Sequence, residues 1–162
     1  MFQVKFKKLH PDAIIPAYAH DGDAGFDLCC IESCVIMPGE TVLVRTGLAV
    51  QLPVGTEMQI RPRSGLALKT PYFIKNAPGT IDAGYRGELG IIVSNMPNVL
   101  YDDKKHPIPG TTQYIKFSQG DRIAQGVVKP VLLCELLEVD ELGDSERGES
   151  GFGSTGINTE KE

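Results

Sequence analysis

Six arginines (Arg45, Arg61, Arg63, Arg86, Arg122 and Arg147) say most about the chemistry open to this chain. Four of them sit beside small, turn-forming or acidic partners: PRSG at 62–65, IDAGYRGE at 81–88, GDRIAQ at 120–125 and RGESGFGSTG at 147–156. A guanidinium carries a fixed charge and a planar fork of donors that suits phosphate oxygens, and glycine lets backbone N–H groups approach an anion. Converging, the four segments would cradle a polyphosphate. Any one arginine taken alone reads more readily as half of a surface ion pair; four in this company weaken that reading.

Other residues invite narrower readings. Asp82 stands among glycines in Gly79–Glu88, where an aspartate is ordinarily a turn residue. Ser64, between Arg63 and Gly65, has no histidine near it in sequence, so its hydroxyl suits an anion contact better than nucleophilic attack. Phe152, flanked by Gly151 and Gly153, is an aromatic in a polar stretch. It either docks on an apolar patch of the protein or stacks on a base, a contact worth roughly 1–3 kcal/mol. Gly151, Gly153 and Gly156 satisfy the letter of a dinucleotide-binding fingerprint, but only six residues follow, too few for the helix and strand it needs. No Walker-type ending is present either.

The frame for these residues is 162 residues long, one ordinary domain by length. Eighteen glycines and eleven prolines favour short strands and many turns. Net charge is −5, which argues against a binder of DNA or RNA polymers while leaving a small nucleotide open. No apolar run reaches membrane-spanning length and no signal-peptide core follows Met1, so no membrane association is expected. Cys29, Cys30, Cys34 and Cys134 match no zinc spacing and are expected to be reduced, in a cytoplasmic setting.

Strand-like alternation marks Phe2, Val4 and Phe6, then Met58 and Ile60, then Ile115 and Phe117, while Thr41–Val44 is a β-branched run. The pattern predicts an all-β sandwich or barrel. Leu132, Leu133, Leu136 and Leu137 have helical spacing, but Pro130 just upstream would break a long helix, and the segment is assigned as a strand. Residues 96–114 read as an exposed loop. The polar, glycine-rich stretch from Asp140 reads as a mobile arm, giving a β domain at 1–139 and an arm at 140–162.

In this order the segments resemble the five motifs of the trimeric dUTPase family: Asp23–Leu28, Pro62–Ala67, Asn76–Glu88, Gly120–Gln125 and Arg147–Gly156. The resemblance implies a distorted jelly roll with a flexible glycine-rich C-terminal arm, assembled as a homotrimer with shared active sites. The implied activity is hydrolysis of dUTP to dUMP and pyrophosphate with Mg²⁺, limiting uracil incorporation into DNA and supplying dUMP for thymidylate synthesis. By the same resemblance Asp82 is the base that activates the water attacking the α-phosphorus. Asn76, the backbone of Gly79, Thr80, Ile81 and Asp82, and Gly90 read uracil, and Tyr85 packs under the deoxyribose. Arg63, Ser64, Gly65 and Gln125 hold phosphate oxygens, and Asp27 reaches Mg²⁺ through water. From the arm, Phe152 and Gly153 meet the base while Arg147, Ser154 and Thr155 hold the γ-phosphate.

Two features depart from the family pattern. Pro97–Phe117 is longer than in compact members, a tolerated loop or a contact for a protein partner, and Gly84 replaces an acidic residue. Rival readings are a dCTP deaminase-like enzyme and a regulatory protein that keeps the fold.

Overall fold

The computed structural model describes residues 3–96, 102–106 and 113–150. Phe2, most of the 97–112 segment, and the arm residues Phe152, Gly153, Ser154 and Thr155 lie outside the described residues. By contacts the chain divides into two units, Met1–Leu132 and Leu133–Glu162, where the sequence suggested 1–139 and 140–162.

The first unit is built almost wholly of antiparallel strands. They are β1 (Lys5–Lys8), β2 (Phe26–Cys29), β3 (Cys34–Ile36), β4 (Thr41–Gln51), β5 (Thr56–Arg61), β6 (Tyr72–Ile74), β7 (Gly79–Asp82), β8 (Glu88–Asn95), β9 (Ile115–Phe117) and β10 (Arg122–Pro130). Among the described residues one short helix, α1 (Ser64–Lys69), interrupts them. One sheet runs β1-β4-β8-β6, a second runs β2-β10-β5-β7, and β3 pairs with β9. This is the all-β architecture expected, a jelly-roll-like arrangement.

The core follows from period-two alternation. In β5, Thr56, Met58 and Ile60 point inward while Glu57, Gln59 and Arg61 lie on the outer face. Leu28, Ile36, Leu48, Met58, Ile74, Leu89, Ile91 and Ile123 are fully buried and belong to one cluster. Each buried side chain of this size contributes roughly 1.5–3 kcal/mol.

Pairing between β4 and β8 slips between Arg45 and Ala49, and Gly47 occupies that slip at φ +65°. A Cβ there would also lie 2.9 Å from His10 Cβ and 2.9 Å from Ile31 Cγ2, so glycine is required twice over. Glu88 closes the irregularity, accepting hydrogen bonds from the Gly47 N–H (2.8 Å) and from Arg45 Nη2 (3.0 Å).

The leucine-rich stretch forms no strand. Val131 donates its N–H to the Gly55 carbonyl, and the chain beyond leaves the sheet. Within the second unit Leu133, Leu136, Leu137 and Leu142 are exposed, at 71% or more. The apolar spacing was real, but no neighbouring strand pairs with it among the described residues. Arg147 donates from Nε to the Ser150 carbonyl within a turn of the same unit.

Candidate active site

At one end of the second sheet, three separate segments meet. Asp27 on β2 lies opposite Gln125 on β10, which lies opposite Arg61 on β5, so all three share one face. The chain turns after Arg61, and Arg63 swings back so that its Nε donates to Asp27 Oδ1 at 2.7 Å. Arg122 Nη1 donates to Asp27 Oδ2 at 3.2 Å. Gln125 Nε2 donates to the Pro62 carbonyl at 2.8 Å, pinning the turn that presents Ser64 and Gly65.

The resulting cleft, of about 380 Å³, is lined by Asp23, Gly25, Asp27, Arg63, Ser64, Gly65 and Gln125, among others. A Cβ on Gly25 would come within 2.6 Å of Gln125 Oε1, so a side chain there would displace the Gln125 amide. Ser64 and Gly65 open α1, and the first N–H groups of a helix have no partner inside it. Hydroxyl, N–H groups, guanidinium and amide thus converge as an anion cradle. Buried nearby, Cys29 has its thiol pushed up by desolvation and by the Asp27 carboxylate, which keeps it protonated and poorly nucleophilic.

The cradle does not suit direct chelation of a metal. Both Asp27 oxygens are engaged by guanidinium groups, and no cluster of three or more metal-ligating side chains occurs among the described residues. A Mg²⁺ held mainly by oxygens of a bound triphosphate, with Asp27 reaching it through water, fits this donor set.

A further group of expected site residues lies just before β7, on β7 and β8, which belong to different sheets, and on the turn between them. Asp82 is opposite Glu57, and Gly79 is opposite Ile60. Asn76 folds back over Gly79, whose Cβ would stand 3.0 Å from Asn76 Nδ2. Thr80 and Asp82 are exposed and Ile81 is half-buried on a strand that pairs only with β5, leaving main-chain groups on its outer side for a ligand. Tyr85 lies over Gly87 and donates to the Glu88 carbonyl at 2.9 Å, with its N–H bonded to the Asp82 carbonyl. Gly90 is covered by Leu43, whose Cδ1 would stand 2.6 Å from a Cβ there.

Within one chain Asp82 stands away from the cradle. Asp82 faces Glu57 at one end of β5 while Arg63 follows its other end, and Glu57 to Arg61 alone spans about 13 Å at ~3.3 Å per residue.

Of the four arginines expected to converge, two do. Arg63 and Arg122 flank Asp27, whereas Arg86 donates to the carbonyls of Ala83 (2.6 Å) and Tyr85 (2.7 Å) and fastens the turn between β7 and β8. Arg147 belongs to the second unit. The role of Arg122 and the wall formed by Asp23 and Gly25 were not assigned from sequence. Their signal was present in the first and fourth motifs but needed the β2–β10 register to be read.

A protein-family model described as dUTPase matches residues 11–103 and 108–156. Relatives named deoxyuridine 5'-triphosphate nucleotidohydrolase include one from Alkaliphilus metalliredigens, 50% identical over 97% of this chain and 99% of its own. Another, from Clostridioides difficile, is 52% identical over 97% and 100%. Among solved structures, the dUTPase of Staphylococcus bacteriophage 80alpha with dUPNHPP matches at TM-score 0.81 and 34% identity, covering 96% of this chain and 99% of that one. A mutant dUTPase from phage phi11 of S. aureus, described as revealing the coordination of a structural Mg(II) ion, matches at TM-score 0.72 and 30% identity, covering 86% and 97%.

Proposed function

Because the chain belongs to the dUTPase family and is a dUTP diphosphatase, we propose that Arg63, Ser64, Gly65 and Gln125 hold the triphosphate of dUTP while Asp82 of another copy activates the attacking water. The observation that carries this division is the separation of Asp82 from the cradle along β5. A general base must come within hydrogen-bond reach of its proton, which one chain by itself does not provide.

In this reading Asp82 takes the proton as water attacks the α-phosphorus, and pyrophosphate leaves. Arg63, the Ser64 hydroxyl and the Gly65 N–H stabilise the charge that builds on the phosphate oxygens. Asp27 would hold Mg²⁺ through water, and the ion would supply further charge neutralisation when bound. Asn76, Gly79, Thr80, Ile81 and Gly90 form the base-reading surface. Its outward main-chain groups would meet uracil with matched donors and acceptors, and cytosine would leave both unpaired. Tyr85, held over Gly87, is a rigid floor for the deoxyribose.

A homotrimer with shared sites is the assembly we assign. The exposed leucines of 133–142 support it, since a run of this kind needs a partner surface. Arg147, Phe152, Gly153, Ser154 and Thr155 would close over the nucleotide as a lid at 140–162. A cytoplasmic location accords with Cys29, Cys30 and Cys34 being free of disulfides. No helix among the described residues is long and apolar enough to cross a membrane. The family match passes over residues 104–107, within the 97–117 segment expected as a loop, of which 115–117 is instead the buried strand β9; the part before β9 is the natural place for a protein partner particular to this chain.

The test is hydrolysis of dUTP against dCTP, dTTP and UTP, repeated with Asp82→Asn. Turnover of dUTP alone is expected, falling by about 10² or more in the variant with nucleotide binding retained. Undiminished turnover would remove Asp82 from the role of base.

A further inference from the structure

Arg122 reaches Asp27 only because β10 carries an extra residue. Gln125 pairs with Asp27, and Ala124 with Leu28, but Arg122 pairs with Cys29. Ile123 is therefore unmatched, a β-bulge. Asp27 and Cys29 share a face of β2, so their partners Gln125 and Arg122 share it too, although three residues apart on β10. In regular alternation Arg122 would point into the core.

The bulge has an internal anchor. The Tyr72 hydroxyl, on β6 of the other sheet, donates to the carbonyl of Ile123. Tyr72 is 5% exposed and packs edge-on against Phe117, which fixes its ring. Arg122 in turn holds Arg63 twice: its side chain shares the Asp27 carboxylate, and its backbone carbonyl accepts from Arg63 Nη1 at 3.3 Å. Burial pushes the phenol well above its ordinary range, so it remains a donor at all working pH.

We propose that Tyr72 is a positioning residue for dUTP hydrolysis: its hydroxyl seats the β10 bulge at Ile123, which places Arg122 and thereby orients Arg63 towards the phosphates. It touches no substrate. The inference rests on the reading of Arg63 as a phosphate ligand, and Arg63→Ala is the control that separates the two.

The experiment compares Tyr72→Phe, Arg122→Ala and the double variant by kcat, KM and thermal melting, at a temperature where each is folded. Tyr72→Phe should lose roughly tenfold to a hundredfold in kcat/KM, as expected when a binding group is misplaced by a fraction of an ångström to an ångström. Both substitutions act through one clamp, so the double variant should be no worse than the poorer single. Losses that multiply, or a folded Tyr72→Phe with native kcat/KM, would overturn the proposal. If Tyr72→Phe does not fold, 4-aminophenylalanine at 72 takes its place. Its weaker donor should give a folded protein with reduced kcat/KM, and native kcat/KM would overturn the proposal. An active Arg63→Ala would instead defeat the phosphate assignment.

Discussion

One methyl group at position 25 tests whether the cleft is the phosphate cradle proposed. Gly25→Ala would set its Cβ 2.6 Å from Gln125 Oε1, the far end of a side chain that can move aside. Stability should hardly change, with a melting shift within about 4 °C. The displaced amide would release the Pro62 carbonyl, and KM for dUTP should rise roughly tenfold or more. An unchanged KM would exclude Gln125 and its turn from substrate binding. At this scale the sequence named Arg63, Ser64, Gly65 and Gln125, which do gather at one cleft. It did not separate Arg122, which pairs with Asp27 of that cleft, from Arg86, which fastens a turn. Both stand beside Gly and Asp or Glu in sequence, and only a bulge in one strand and a tight turn in the other tell them apart.

Strands β4 and β8 are joined by the Arg45–Glu88 pair where their register slips, and two substitutions probe that junction. Gly47→Ala must adopt φ +65° and meet His10, Ile31 and Ala13, at a cost of about 1–3 kcal/mol that equilibrium unfolding would measure. Glu88 is pulled in two directions: burial raises its pKa, but the hydrogen bonds from Arg45 and the Gly47 N–H and the Arg45 charge prevail and lower it. A carboxyl whose folded value is depressed stabilises the fold above its unfolded value, about 4.3, and loses that contribution as pH falls through the lower folded value. Glu88→Gln should therefore melt earlier than the parent at pH 7, and the gap should narrow as the pH falls below the unfolded value. A gap independent of pH would mean that the carboxylate charge contributes nothing. Elements with clean alternation, such as β5, were legible from residue type alone. The 132–137 stretch was not, because a run of leucines signals burial without saying which surface, or whose, does the burying.

For the whole molecule the decisive fact is distance. Asp82 stands at one end of β5 and the cleft with Arg63 at the other, and in the proposed mechanism each is incomplete by itself. In the proposed homotrimer, symmetric assembly would present Asp82 of one copy to the cradle of the next. The most direct test mixes two inactive proteins, Asp82→Asn and Arg63→Ala, by joint unfolding and refolding. If each active site takes Asp82 and Arg63 from different copies, equal mixing leaves about a quarter of the sites with both native residues, and dUTP hydrolysis returns. If both residues serve the site of a single chain, every site keeps one defect. Mixed oligomers, verified by differential tagging, that remain inactive would contradict the shared site.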